Sequence, residues 1–419
     1  MGPSDPPPAF DFAAFLDFMR AHNHNFMRLW TRELSQWWDD WRPGGTWYIR
    51  HFPWPRSGPG DARDGKPKFD LSRFDETYFE RLRSRVAQAG ERGIYVGIIL
   101  FEGRMLISAK DAATGHPFTL ENNVNGIDGN PNKDQHLDET HTLQIPSVTA
   151  VQEAYVRKVI DTVNDLDNVL YEISNEDKGD RPNAEWQYHM IRFIKQVEAK
   201  KPKRHPVGMT GCDGGGLPVL LDSPADWISP TAEPWGEKDV YSTNPPAADG
   251  KKVSVLDTDH THNNAAGTWK GAKADRAWVW KAFCRGHNPI YMDPVDLGQP
   301  DKIMGLLQPH APAILSARPA MGHTLAYARK IDLAGMTPRG DLTSTSYGLA
   351  RPGTEYLIYQ PLSRKAFTAE LLAGTYQHEW FNPGAGAVAN QGFLKVDPGR
   401  RSFEAPFEGD AVLYLKMTK

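Results

Sequence analysis

The stretch NVLYEISNED, residues 168–177, decides how this chain is read. Residues 168–173 read as a strand, and Ser174-Asn175-Glu176-Asp177 put polar and acidic groups at its C-terminal end. A helix is predicted on either side. Over 147–165, Val148, Val151, Tyr155, Val159 and Val163 recur at three- and four-residue steps, and over 183–201 Trp186, Met190, Ile194 and Val197 do the same. Such stripes are the period of an amphipathic helix laid on a core.

Working outward, the alternation repeats. Upstream, residues 94–101 form a wholly apolar run of the kind buried on both faces of a parallel sheet. Before it, a helix over 75–92 carries Phe79, Leu82, Val86 and Ala89 on one face and stops at Gly93. A strand at 26–30 follows a helix at 10–23. Downstream, strands are predicted at 205–210, 226–229, 253–256 and 289–293, with helices at 272–286 and near 319–334. Repeated strand–helix units of this length predict a (β/α)8 TIM barrel. The strands found are the second to the eighth. Either the first is missing or another segment fills its place.

Beyond residue 341 the texture changes to short strand-like runs broken by Gly, Pro and Asn, at 356–359, 366–371, 376–380, 392–396 and 411–415. That is the pattern of a small all-β sandwich. The expected division is therefore a barrel over 1–340 and a β-domain over 341–419.

Composition narrows the function classes. Of 419 residues 40% are hydrophobic and 24% charged, with a formal net charge of −4. This balance argues against nucleic acid or an acidic membrane as the main partner. The longest apolar runs are strand-length, too short to span a bilayer. Cys212 and Cys284 are well separated and read as free thiols before they read as a disulfide. The opening MGPSDPPPAF has neither a basic start nor an apolar run. Localisation stays open between secreted or periplasmic, after loss of a leader, and cytoplasmic. Six of the 13 tryptophans fall between residues 30 and 54, either as core or as surfaces on which sugar rings stack.

In a barrel of this class the chemistry sits where the strands end. The strand ends carry Arg28 and Trp30, Glu102, Asn175 with Glu176, Asp257 through His260, and Asp293. Cleavage of a glycosidic bond needs one protonated carboxyl and one ionised carboxyl. Glu176 on the fourth strand and Asp259 on the seventh meet that need, with Asp257 as the competitor of Asp259. A separation of about 5–5.5 Å would mean retention and about 6.5–9.5 Å inversion. Asp257, Asp259, His260 and His262 are also a ligand-rich set, so a metal-dependent barrel hydrolase is a rival reading. A non-catalytic carbohydrate-binding protein is another. The segment 102–146, rich in Asn, Asp and His, reads as an excursion over the cleft.

YEISNE, residues 171–176, resembles the fourth-strand signature of clan A glycoside hydrolases, the cellulase-like barrels, in which an asparagine precedes the acid/base glutamate. VLDTD, residues 255–259, is similar to the V-L-D-G-E segment of apiosidase-like barrels, whose final carboxylate is the nucleophile. FMRLW places Arg28 where many clan A enzymes hold that nucleophile. EYLIYQP, HEWFNPGAG and GDAVLYLK resemble the small β-domain of collagen-binding type that follows apiosidase-like barrels. The resemblance implies a glycosidase acting on poly- or oligosaccharides, with Glu176 as acid/base and Asp259 as nucleophile. The nucleophile is usually glutamate, so an aspartate departs from the pattern. Arg28, Trp30, Glu102, Asn175, Trp235, Asp257, His260 and Asp293 are the expected substrate-binding residues. No metal or organic cofactor is expected.

Overall fold

A computed structural model of the chain describes residues 2, 4–38, 45–210, 216–230, 240–257, 275–291, 293, 295 and 312–418. Its contacts divide it into two units, residues 1–17 with 25–229 and residues 18–24 with 230–419.

The first unit holds five parallel strands in chain order: β1 (Phe26–Trp30), β2 (Tyr95–Glu102), β3 (Val169–Asn175), β4 (Val207–Thr210) and β5 (Trp227–Ser229). Helices join them. Helix α1 (Glu76–Gly90) starts at Asp75, whose carboxylate accepts from the Thr77 amide at 3.0 Å, and buries Tyr78, Phe79, Leu82, Val86 and Ala89. Helix α2 (Pro146–Val163) opens on a proline, which lacks the N–H that would be orphaned there. Helix α3 (Arg181–Glu198) is capped by Asp180 through the Asn183 amide at 3.1 Å. Asn168, at the foot of β3, donates to the carbonyls of Val86 and Ile94 at 2.9 Å each and ties α1 to the sheet.

The second unit contributes the parallel pair β6 (Val253–Leu256) and β7 (Asn288–Pro289) with helices α4 (Arg276–Cys284) and α5 (Pro312–Lys330). The fold class is therefore the expected one, parallel strands alternating with helices in the TIM-barrel manner, followed by a β-rich module. Among the described residues no parallel strand precedes β1. Residues 18–24 instead pack on α5: the Asn23 amide donates to the Gly322 carbonyl at 2.7 Å and His24 Nε2 to that of Arg318 at 2.9 Å. A side chain at Gly322 would put Cβ 2.2 Å from the His22 carbonyl, so this closeness needs glycine.

Two elements differ from expectation. The last barrel strand is only Asn288–Pro289, shorter than 289–293. Helix α5 begins at Pro312 and runs through Pro319, where a helix start near 319 was expected. A proline inside a helix removes one backbone bond. Here Ile314, Ala317 and Ala320 are buried on both sides of it.

The β-rich module is antiparallel. Its strands are β8 (Thr337–Pro338), β9 (Gly348–Arg351), β10 (Glu355–Gln360), β11 (Phe367–Leu371), β12 (Gly374–Asn382), β13 (Ala387–Val396), β14 (Gly399–Phe403) and β15 (Ala411–Met417). Six make a sheet in the order β8-β9-β10-β15-β12-β13, and β11 pairs with β14. Alternation along β10 and β15 serves two cores. Tyr356, Ile358, Leu413 and Leu415 pack with Phe367 and Leu371 of the small sheet. Leu357, Tyr359, Val412 and Tyr414 pack with Trp280, Phe283 and Tyr327 of α4 and α5. Asp410 accepts from Arg276 Nη2 at 2.7 Å and from the Tyr359 hydroxyl at 3.0 Å. The antiparallel sheet begins at Thr337, and the boundary expected at 340/341 falls inside the second unit.

Glycine is needed where β4 and β5 pair. Gly208 faces Trp227, and a Cβ on it would lie 1.9 Å from the indole ring. Gly208→Ala should lower stability by about 1–3 kcal/mol through overpacking, read as a lower urea midpoint at unchanged slope. A midpoint equal to the parent's would show that the indole can move aside.

Candidate active site

The C-terminal ends of β1, β2 and β3 gather a set of buried polar groups, among them Arg32, Glu33, Glu102, Asn175 and Asp177. Parallel register sets Glu102 beside Asn175, and the Asn175 amide donates to Glu102 Oε1 at 3.1 Å. Arg32, just past β1, donates to Glu102 Oε2 at 2.7 Å, and both side chains are buried. The Arg32 guanidinium also lies 4.5 Å from the centre of the Trp30 ring. Trp30 remains 37% exposed, so one flank of the cluster is an open aromatic surface.

Glu176 follows directly on β3. Its φ is 43°, in the left-handed region that non-glycine residues seldom adopt. Strain of this kind collects at functional sites. The carboxylate is partly exposed, with Arg104 Nε 3.8 Å from Oε2. The turn also needs Gly103 on the neighbouring strand end: a Cβ there would come within 2.5 Å of the Asp177 Cα and 2.8 Å of the Asn175 carbonyl.

Behind Glu176 lies a buried ionic cluster. His141 Nδ1 donates to Asp177 Oδ2 at 2.7 Å, while its Nε2 stands 3.6 Å from Glu33 Oε1. The imidazole stacks on Trp186, ring centres 4.2 Å apart and 9° from parallel. Burial by itself would lower the His141 pKa, but Asp177 and Glu33 overcome it and push the value up to about 10. Asp177 is correspondingly held below the usual carboxylate range: burial opposes ionisation and the imidazolium wins. Burial pushes Glu33 upward, partly offset by His141. The other Glu33 oxygen accepts from the Glu102 amide at 3.0 Å, joining this cluster to the Arg32–Glu102–Asn175 chain.

Arg28 was expected to hold the nucleophile. In the structure its Nε donates to Glu172 Oε2 at 2.9 Å, and its Nη2 pairs with the other oxygen of the same fully buried carboxylate. Arg28 reaches Glu172 across Gly97 of β2, its Cγ 3.7 Å from where a Cβ would stand. Glu102, Asn175, Glu176 and Trp30 are brought together at the strand ends. Asp293 pairs with Arg318 through two bonds of 2.6 Å in the second unit, and Asp257 follows β6 there. Asp259, His260, His262, Trp235 and Cys212 lie outside the described residues; Cys284 is a buried free thiol. Of the early tryptophans, Trp37, Trp47 and Trp54 are buried and belong to the core.

Local sequence does not single out Glu33, Arg32, Gly103 or Arg104, and it gives His141 and Asp177 no role. A signal existed for Asp177, as a second acid in SNED, and for His141, as a histidine just before the proline-started helix α2. Nothing local marked Glu33.

A family model described as a domain of unknown function, DUF6298, matches residues 38–214. No curated protein matches the sequence. Among solved structures, a glycoside hydrolase family 5 protein from Bacteroides vulgatus is similar at a TM-score of 0.62 and 13% identity, covering 97% of this chain and 86% of that one. A structure described as a glycoside hydrolase gives 0.59 at 12%, covering 97% and 89%. An alpha-amylase from Geobacillus thermoleovorans gives 0.53 at 13%, covering 97% and 91%. At these identities the likeness is one of fold.

The buried imidazolium makes stability depend on pH. A histidine raised from its ordinary 6.5 to about 10 stabilises fully below pH 6.5, and the contribution is lost as pH rises through 10. The thermal midpoint should therefore fall between pH 7 and 10, and His141→Gln should flatten that fall while lowering the midpoint at pH 7. Equal slopes in both proteins would refute the assignment of charge.

Proposed function

We propose that this chain is a glycoside hydrolase acting on a poly- or oligosaccharide by a two-carboxylate, retaining mechanism. The observation that carries the reading is Glu176: a partly exposed carboxylate in a left-handed turn at the end of β3, within a fold that solved glycoside hydrolases share. Glu176 protonates the leaving oxygen and then activates water. Asp259 is the nucleophile on the grounds of its sequence context, with Asp257 in support. Asn175, held by Glu102, is placed beside the acid to meet a sugar hydroxyl, and Trp30 offers a ring face to the sugar. Trp235, His260 and Asp293 complete the proposed binding set. General acid catalysis at Glu176 needs no metal in the reacting centre.

The His141–Asp177 pair positions Glu176 by fixing the backbone one residue on. Arg28 supports the same strand through Glu172.

The test is a screen of aryl glycosides and polysaccharides with the parent protein and Glu176→Gln. The substitution should reduce kcat by about 10²–10⁴-fold on substrates with poor leaving groups. It should cost much less on aryl glycosides whose leaving group needs no proton. Equal activity in both proteins on every substrate would remove Glu176 from the chemistry. Sugar binding without turnover in the parent would leave a carbohydrate-binding protein.

A further inference from the structure

Residues 128–139 read DGNPNKDQHLDE. Numbered from Asp128, oxygen-bearing side chains fall at positions 1, 3, 5 and 12, as Asp128, Asn130, Asn132 and Glu139, with Asp134 at 7 and His136 at 9. That is the spacing of a twelve-residue calcium loop, in which position 7 contributes its backbone carbonyl and the glutamate at 12 both its oxygens. Position 6 of such loops makes a sharp turn, usually at glycine. Here it is Lys133, exposed, with φ at 60°, so the backbone makes the turn although the residue is not glycine.

Groups at positions 3, 5, 7 and 12 are in contact. The Asn130 amide nitrogen lies 2.8 Å from the Asp134 carbonyl oxygen, the position-7 group. Asn132 Nδ2 touches both Asp134 Oδ2, at 3.0 Å, and Glu139 Oε1. So the loop closes from position 3 to 7 and from 5 to 12.

What points to a ligand is a shortage of donors. Asn130 is only 6% exposed, and its Oδ1 has no hydrogen-bond partner. Glu139 Oε2 is likewise buried and unpartnered. A buried acceptor left unsatisfied is costly, and natural structures rarely leave one. Among the described residues no three His, Cys, Asp or Glu side chains gather at metal-ligand geometry. This loop draws on amide and carbonyl oxygens as well as carboxylates, a hard, all-oxygen set suited to calcium. Magnesium, which keeps several waters and demands a tight octahedron, fits it less well.

We propose that residues 128–139 bind one calcium ion, held by the side chains of Asp128, Asn130, Asn132 and Glu139 and the carbonyl of Asp134. Glu139 lies in the short helical turn Asp138–His141, so the ion braces the segment that delivers His141 to Asp177. The inference does not depend on the glycosidase reading, and its test needs no substrate.

The full chain, stripped with chelator and dialysed, is titrated with calcium chloride by calorimetry and melted with and without the ion. One ion should bind per chain. At calcium 100-fold above Kd, the thermal midpoint should rise by about 3 °C. Magnesium chloride at equal concentration should raise it by less than half as much. Asp128→Ala and Glu139→Gln should abolish the heat and the shift, while Lys133→Gly should keep both. The proposal is overturned if the parent shows neither heat nor shift, if magnesium matches calcium, or if either ligand variant responds as the parent does.

Discussion

The site rests on the buried contact between His141 and Asp177. An imidazole and a carboxylate withdrawn from water are each costly alone, and their attraction repays that cost only at close range with good geometry. The 2.7 Å hydrogen bond, the flat stack on Trp186 and the nearby Glu33 meet that condition. The contact joins two distant stretches of chain, the segment before α2 and the turn after β3. Asp177 is the next residue after Glu176, so the contact fixes the chain immediately after that left-handed turn.

Around this contact the buried charges form a connected set. Glu33 faces His141 with one oxygen and the Glu102 amide with the other. Glu102 in turn takes Arg32 and Asn175. Removing one member leaves a neighbouring charge buried without its partner, which costs more than the pair contributes when whole. Such a network suits a site that must keep its shape, because no member can shift without disturbing another.

The segment between β2 and α2 supplies both His141 and the oxygen-rich loop before it. Short helices and side chain–backbone bonds order it. Asn122 and Asn123 alone donate six bonds to backbone carbonyls around them. Buried Leu106, Phe118 and Leu137 anchor this segment, and amides and carboxylates pair the backbone groups that no helix or strand satisfies. Ordering by polar groups also explains how a histidine can be delivered accurately from a segment with no long helix or strand.

Periodicity in the sequence was enough to place most of the elements. Apolar runs at 94–101 and 168–173 and the stripes of 147–165 and 183–201 follow from burial, which a one-dimensional pattern records. It was enough, too, to put Asn175 and Glu176 at a strand end, because the end of a parallel strand is a position readable in order along the chain. The antiparallel strands Gly348–Arg351 and Gly399–Phe403 escaped it, since their sequences carry little apolar alternation. Glu33, Arg32, His141 and Asp177 acquire their meaning only in three dimensions. Their partners are up to 108 residues away in sequence, and their charge states depend on burial and on the carboxylates that the fold brings close. Arg28 makes the same point: its strand was legible, but that it meets Glu172 across Gly97 was decided by which strands lie side by side.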